Sequence, residues 1–182
     1  MKPRFAIVTL LFLALAVPAT IMAQQNIKTG KPKTEASAAQ LRDRLVGTYR
    51  LVSYQRKLVA TGETEDLIGK APTGYIVYTR EGRMMAFFIN EVRPRPKDIA
   101  TMTDKERADL FKTMLAYCGT YDFDGQKVTH HIDASWNQIW TGTDVVRHVA
   151  FEGRRAVYTT EPAPSSVDGK ISINVLTWEK ME

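Results

Sequence analysis

The chain has 182 residues, of which 44% are hydrophobic and 25% charged, a balance that supports an ordinary globular core. Its formal net charge of +5 is scattered, with no basic stripe, so a nucleic-acid partner is not expected. The single cysteine, Cys118, excludes an intrachain disulfide; between Tyr117 and Gly119, at an expected helix-to-strand junction, it reads as a buried free thiol.

At the N-terminus, Lys2 and Arg4 precede an apolar run over 5–17, and Ala23 closes a stretch with the small residue that a signal peptidase requires. Residues 1–23 therefore read as a cleavable signal peptide, cut after Ala23, which implies a secreted or periplasmic protein. The apolar run is short of the ~20 residues of a membrane span, so no stable span is expected after cleavage. Residues 24–44 are polar and read as a flexible segment, with a short helical turn over 40–45 where Leu41 and Leu45 stand at i, i+4. Residues 45–182 are left as one domain.

Eight strands are expected in that domain, over 46–57, 74–79, 83–90, 120–123, 127–136, 143–151, 154–160 and 171–180. Hairpin turns are marked by Gly82, Asp124-Gly125 and Glu152-Gly153. In 84–89 both parities are apolar, so this strand should be covered on both faces. The outer cover is expected to be one helix packed outside the sheet between the third and fourth strands. Thr103 and Glu106 form a capping-box pattern, Leu110, Phe111, Met114 and Leu115 an apolar stripe, and Gly119 ends the segment. An antiparallel all-β chain of this size folds as a closed up-and-down barrel or as a sandwich.

The stretch 128–140 gathers two of the three histidines and two of the three tryptophans. Alternation puts Val128, His130, Ile132, Ala134 and Trp136 on the inward face, and Thr129, His131, Asp133 and Ser135 on the outward one. His130 is thus a neutral inward imidazole, able to bond a ligand or to act as general acid or base; the other reading is a core histidine satisfied by backbone or Tyr. Trp136, Asn137 and Trp140 mark the strand end and the following loop, where they either grip a flat apolar ligand at a barrel mouth or close that end as packing. Arg147 would bind a carboxylate if inward and is a solvated strand charge if outward. The histidines lack the companions of a metal site, no Ser-His-Asp triad can be assigned, and no phosphate-cradling loop is present, so neither metal nor cofactor is expected.

Five segments in order carry a family resemblance: 45–54 (LVGTYRLVSY), 74–79 (GYIVYT), 116–121 (AYCGTY), 128–131 (VTHH) and 177–180 (TWEK). Together they resemble the bacterial and fungal lipocalin-like domain family over about 45–180. Gly47-Thr48-Tyr49 is also similar to the Gly-x-Trp signature of lipocalins at large, with Tyr49 where Trp is usual. The resemblance implies an eight-stranded antiparallel β-barrel of calycin type with one internal pocket, and a contact of Lys180 with Tyr49 in place of the usual contact with Trp. It does not imply a reaction.

The expectation is thus an exported barrel that binds a small hydrophobic or amphipathic ligand, with Tyr49, Leu51, His130, Ile132 and Trp136 lining the pocket and Asn137, Trp140 and Arg147 as further ligand contacts. Two alternatives stand beside it. One is a small barrel enzyme of isomerase, cyclase or hydrolase type that uses His130 as acid or base. The other is a filled barrel that acts through its surface.

Overall fold

The computed structural model describes residues 37–165 and 168–182, so the expected signal peptide at 1–23 lies outside the described residues. The first element is helix α1 (Ala38–Leu45), longer than the expected turn because Ser37 and Gln40 form a reciprocal capping box. There follow β1 (Gly47–Leu58), β2 (Thr64–Asp66), β3 (Thr73–Tyr78), β4 (Arg83–Ile89), helix α2 (Asp104–Lys112), β5 (Met114–Phe123), β6 (Lys127–Ser135), a 3-10 turn (Gln138–Trp140), β7 (Asp144–Glu152), β8 (Arg155–Thr159), β9 (Ala163–Pro164) and β10 (Ile171–Lys180).

Eight of these strands close a ring in the order β1-β3-β4-β5-β6-β7-β8-β10, all antiparallel, and β10 returns to β1 from Tyr49↔Lys180 to Leu58↔Ser172. The choice between barrel and sandwich thus falls to the barrel. Closure removes the exposed sheet edges that an open sheet would present. The two unanticipated strands are short additions at one end: β2 pairs with Gln55–Lys57 of β1, and β9 with the start of β10.

Interior side chains come from alternate positions, as the pleat requires. Tyr49, Leu51, Ile76, Tyr78, Met84, Ala86, Tyr121, Val128, His130, Ile132, Ala156, Tyr158 and Trp178 are all buried. Helix α1 closes one end. Leu45 is fully buried there, the Tyr49 hydroxyl donates to the Arg44 carbonyl at 2.6 Å, and the Arg44 guanidinium sits 4.6 Å from the centre of the Phe151 ring. Lys180 Nζ lies 5.5 Å from the Tyr49 ring centre, the contact that the family resemblance implied.

Two register shifts re-aim side chains. In β1, Leu51 pairs with Trp178 but Ser53 with Thr177, so Val52 is extra and the inward parity passes to Tyr54, Arg56 and Leu58. In β6, Ile132 pairs with Gly119 and Ala134 with Cys118, so Asp133 is extra. An inserted residue of this kind reverses the faces of everything after it. Gly119 permits the second shift, because a Cβ there would collide with the His131 carbonyl oxygen.

Three expectations about the helical region are corrected. There are two helices among the described residues, not one; α1 precedes β1 and α2 follows β4. Helix α2 stops at Lys112, and residues 114–119, read as its second half, are the start of β5. The apolar residues there satisfy either period over so short a run, and pairing with β4 from Ile89↔Met114 onward decides for strand. The helix also buries none of its residues and leaves Met85, on the outer face of β4, 56% exposed. Cys118 accordingly lies within β5, half-buried on the outer face, with its thiol 3.7 Å from Asp133 Oδ1.

Candidate functional site

A cavity of about 30 Å³ lies inside the barrel. Its wall is made by Tyr54, Ile76, Ala86, Phe88, Leu115, Tyr117, His130, Trp140, Arg147, Tyr158, Leu176 and Trp178. The strand directions place it in the half of the barrel away from α1. Tyr54 lies in the far half of β1, Phe88 near the end of β4, Leu115 near the start of β5, and Trp140 follows β6.

His130 is 1% exposed and has both ring nitrogens occupied. Its Nε2 is 2.6 Å from the Tyr78 hydroxyl and its Nδ1 is 2.9 Å from the Tyr117 hydroxyl. A neutral imidazole has one donor and one acceptor nitrogen, so one tyrosine donates to it and the other accepts from it. Burial holds the imidazole neutral, lowering its pKa to about 3, and the nearby Arg147 and His131 act in the same direction. Burial likewise pushes the Tyr117 hydroxyl up to about 12. The inward position expected of His130 is present, with Tyr partners on both sides of the ring.

Arg147 resolves its two readings in favour of the interior. It stands opposite Val128, which is fully buried, and it lines the cavity. Its charge is felt at Tyr54, Tyr117 and His130. The guanidinium donates from Nη1 to the Val146 carbonyl at 2.8 Å. Among the described residues no carboxylate pairs with it.

Two further polar atoms on this wall are buried without a hydrogen-bond partner: the Tyr158 hydroxyl and the Trp178 indole Nε1. The Tyr158 hydroxyl lies close to that of Tyr78, and a side-chain hydrogen-bonding interaction between them shifts the pKa of both, although the pair falls short of strict hydrogen-bond geometry. A buried donor left unpaired costs roughly 1–3 kcal/mol, which makes such atoms uncommon in native interiors.

The remaining expected contacts are dispersed. Tyr49, Leu51 and Ile132 are buried core residues that do not line this cavity. Trp140 does line it, at the mouth, with its ring 5.8 Å from that of Tyr117. Asn137 caps the 3-10 turn, its side-chain oxygen accepting from Ile139 N at 3.2 Å.

Trp136 is the clearest correction. The extra residue at Asp133 puts Ala134 and Trp136 on the outer face, where Trp136 packs between Phe111 of α2, at 6.0 Å, and Trp140, at 5.3 Å. There it borders a shallow apolar groove with Met85, Phe87, Ala116, Cys118 and Ala134. His131 and His148 also face outward. The His131 ring bridges Asp144, at 2.7 Å, and Asp122, at 3.0 Å, while His148 pairs with Glu161. Among the described residues no group of three His, Cys, Asp or Glu side chains is placed to hold a metal ion, and no helix there is long and apolar enough to cross a membrane.

Sequence reasoning missed most of the cavity wall. Alternation within β4 and β5 could have found Phe88, Leu115 and Tyr117. Tyr54 could not be placed without the extra residue at Val52, and Tyr158, Leu176 and Trp178 needed the strand register.

The chain matches the family model for a lipocalin-like domain over residues 46–181. No curated protein matches it.

Proposed function

We propose, since the chain belongs to the lipocalin-like domain family, that it is a binding protein that holds a small amphipathic molecule in the half of the barrel away from α1. The observation that carries this reading is the pair of unpartnered buried polar atoms, Tyr158 Oη and Trp178 Nε1, on the wall of one cavity. Their cost is offset when a guest supplies their partners. Apolar side chains beside them, Phe88, Leu115 and Leu176, suit the rest of such a molecule.

The cavity of about 30 Å³ has room for a head group rather than a whole ligand, since one water already needs about 10–15 Å³ on the same measure. The tail then lies toward the mouth and displaces side chains there, Trp140 and Tyr54 among them. Rotamer changes of this kind commonly accompany binding. His130 favours binding over catalysis: with both nitrogens held by tyrosines, it offers neither a lone pair nor an N–H to a guest.

Export is part of the same proposal. Its support is the charged start at Lys2 and Arg4, the apolar run over 5–17 and the small residue Ala23. Intact-mass measurement of the protein from the periplasm or medium should give a chain that begins at Gln24; a full-length chain confined to the cytoplasm contradicts it.

Native mass spectrometry of the protein, purified without detergent, tests the binding reading. A bound species of defined mass, released on unfolding, is the expected result. A bare chain that also takes up none of a panel of amphipathic compounds contradicts it and favours a filled barrel acting through its surface.

A further inference from the structure

The polar groups that face the cavity are unusual in kind. Trp178 Nε1 can only donate, and the Arg147 guanidinium can only donate. The Tyr158 hydroxyl can donate as well as accept. None of these three is paired with an acid, and no carboxylate, amide or Ser/Thr hydroxyl lines the wall. Of the other polar wall residues, Tyr117 and His130 are already satisfied by each other, with Tyr78 completing the histidine's second bond, and Tyr54 and Trp140 stand toward the mouth.

From this we infer that the guest's head group is an anion of carboxylate type, seated against Arg147 with Tyr158 and Trp178 donating to it. The inference rests on the proposal that the barrel binds a guest and adds the chemistry of its head. An ammonium guest would meet a guanidinium of like charge that has no carboxylate partner, and the two would repel. A neutral alcohol would supply one acceptor oxygen to three donors. A carboxylate supplies two oxygens with about four acceptor sites and neutralises the guanidinium, which binds planar carboxylates well. Tyr158 and Trp178 are 2% and 1% exposed, so they are fixed before the guest arrives and their directions are not set by it. Their rings lie 6.4 Å apart, which places both on one side of the cavity.

The test uses three probes with the same tail: octanoate, octanol and octylamine, titrated at neutral pH into the whole protein freed of any co-purified guest. Octanoate should bind about tenfold tighter than octanol, and octylamine most weakly, as a charge-assisted contact demands. Arg147→Met should bring the octanoate-to-octanol ratio close to one. Tyr158→Phe removes one oxygen from a buried ring and should lower that ratio severalfold; it serves as the second variant if Arg147→Met fails to fold. Octanol that binds as tightly as octanoate, or a ratio unchanged in both variants, overturns the inference and leaves the binding proposal standing. No binding of any probe, together with no co-purified guest, overturns both.

Discussion

The His130 imidazole and the Tyr78 hydroxyl share a hydrogen bond of 2.6 Å in the interior of the barrel, on the side of the ring opposite Tyr117. Three strands, β3, β5 and β6, are thereby tied through one buried ring. His130→Phe should leave both tyrosine hydroxyls unpaired and cost roughly 2–4 kcal/mol, read from urea denaturation at pH 7. A variant as stable as the wild type would show that the ring serves no structural purpose.

The same ring makes stability depend on pH. The pKa of His130 is about 3 in the folded chain, against 6.5 for an ordinary histidine. Between those values the unfolded chain takes up a proton that the folded chain refuses. The contribution is therefore complete above pH 6.5 and is lost as pH falls toward 3. It is of the order of 5 kcal/mol, at 1.36 kcal/mol per pKa unit. Urea unfolding of wild type and His130→Phe between about pH 7 and pH 4 should show the slope in the wild type and its loss in the variant.

His131, the next residue, acts in the opposite sense. Hydrogen bonds from its ring to Asp144 and Asp122 raise its pKa above 6.5. Its stabilising effect is then complete below pH 6.5 and is lost as pH rises through the raised value. His131→Gln should destabilise the barrel more at about pH 6 than at about pH 9; an equal effect at both would contradict the ion-pair account.

Gly119→Ala tests the shift in β6. The added methyl group meets the His131 carbonyl oxygen of the neighbouring strand, which cannot move without breaking the β5–β6 ladder. A loss of about 3 kcal/mol or a failure to fold is expected. A variant of unchanged stability would show that the register relaxes freely there.

The sequence was most legible where a local rule and the final register agree. Alternation located the barrel strands from 46 to 180, Gly125 and Gly153 turn with positive φ as their hairpins require, and the Thr103–Glu106 box starts α2. It failed where one extra residue changes a face. Trp136 shares parity with His130 in the sequence, and only the pairing of Ala134 with Cys118 turns it outward. The end of α2 is not legible because the apolar run that follows it, from Met114 to Cys118, satisfies helical and strand spacing alike. Arg147 could not be oriented from its neighbours, since Val145, Val146 and Val149 are apolar at both parities; its place opposite Val128 decides it. The tyrosine partners of His130 come from strands far apart in the chain, so no local pattern could have paired them.

Whether a guest enters the barrel is tested most directly by the indole N–H resonances of the three tryptophans during octanoate titration. Trp178 lies in the cavity wall, Trp140 at its mouth, and Trp136 on the outer face. A saturable shift of the Trp178 resonance to lower field, with Trp140 moving at the same ligand concentrations, is the predicted result, because Nε1–H gains an acceptor. A Trp178 resonance that stays fixed while Trp136 alone moves would place the ligand in the outer groove and contradict the account.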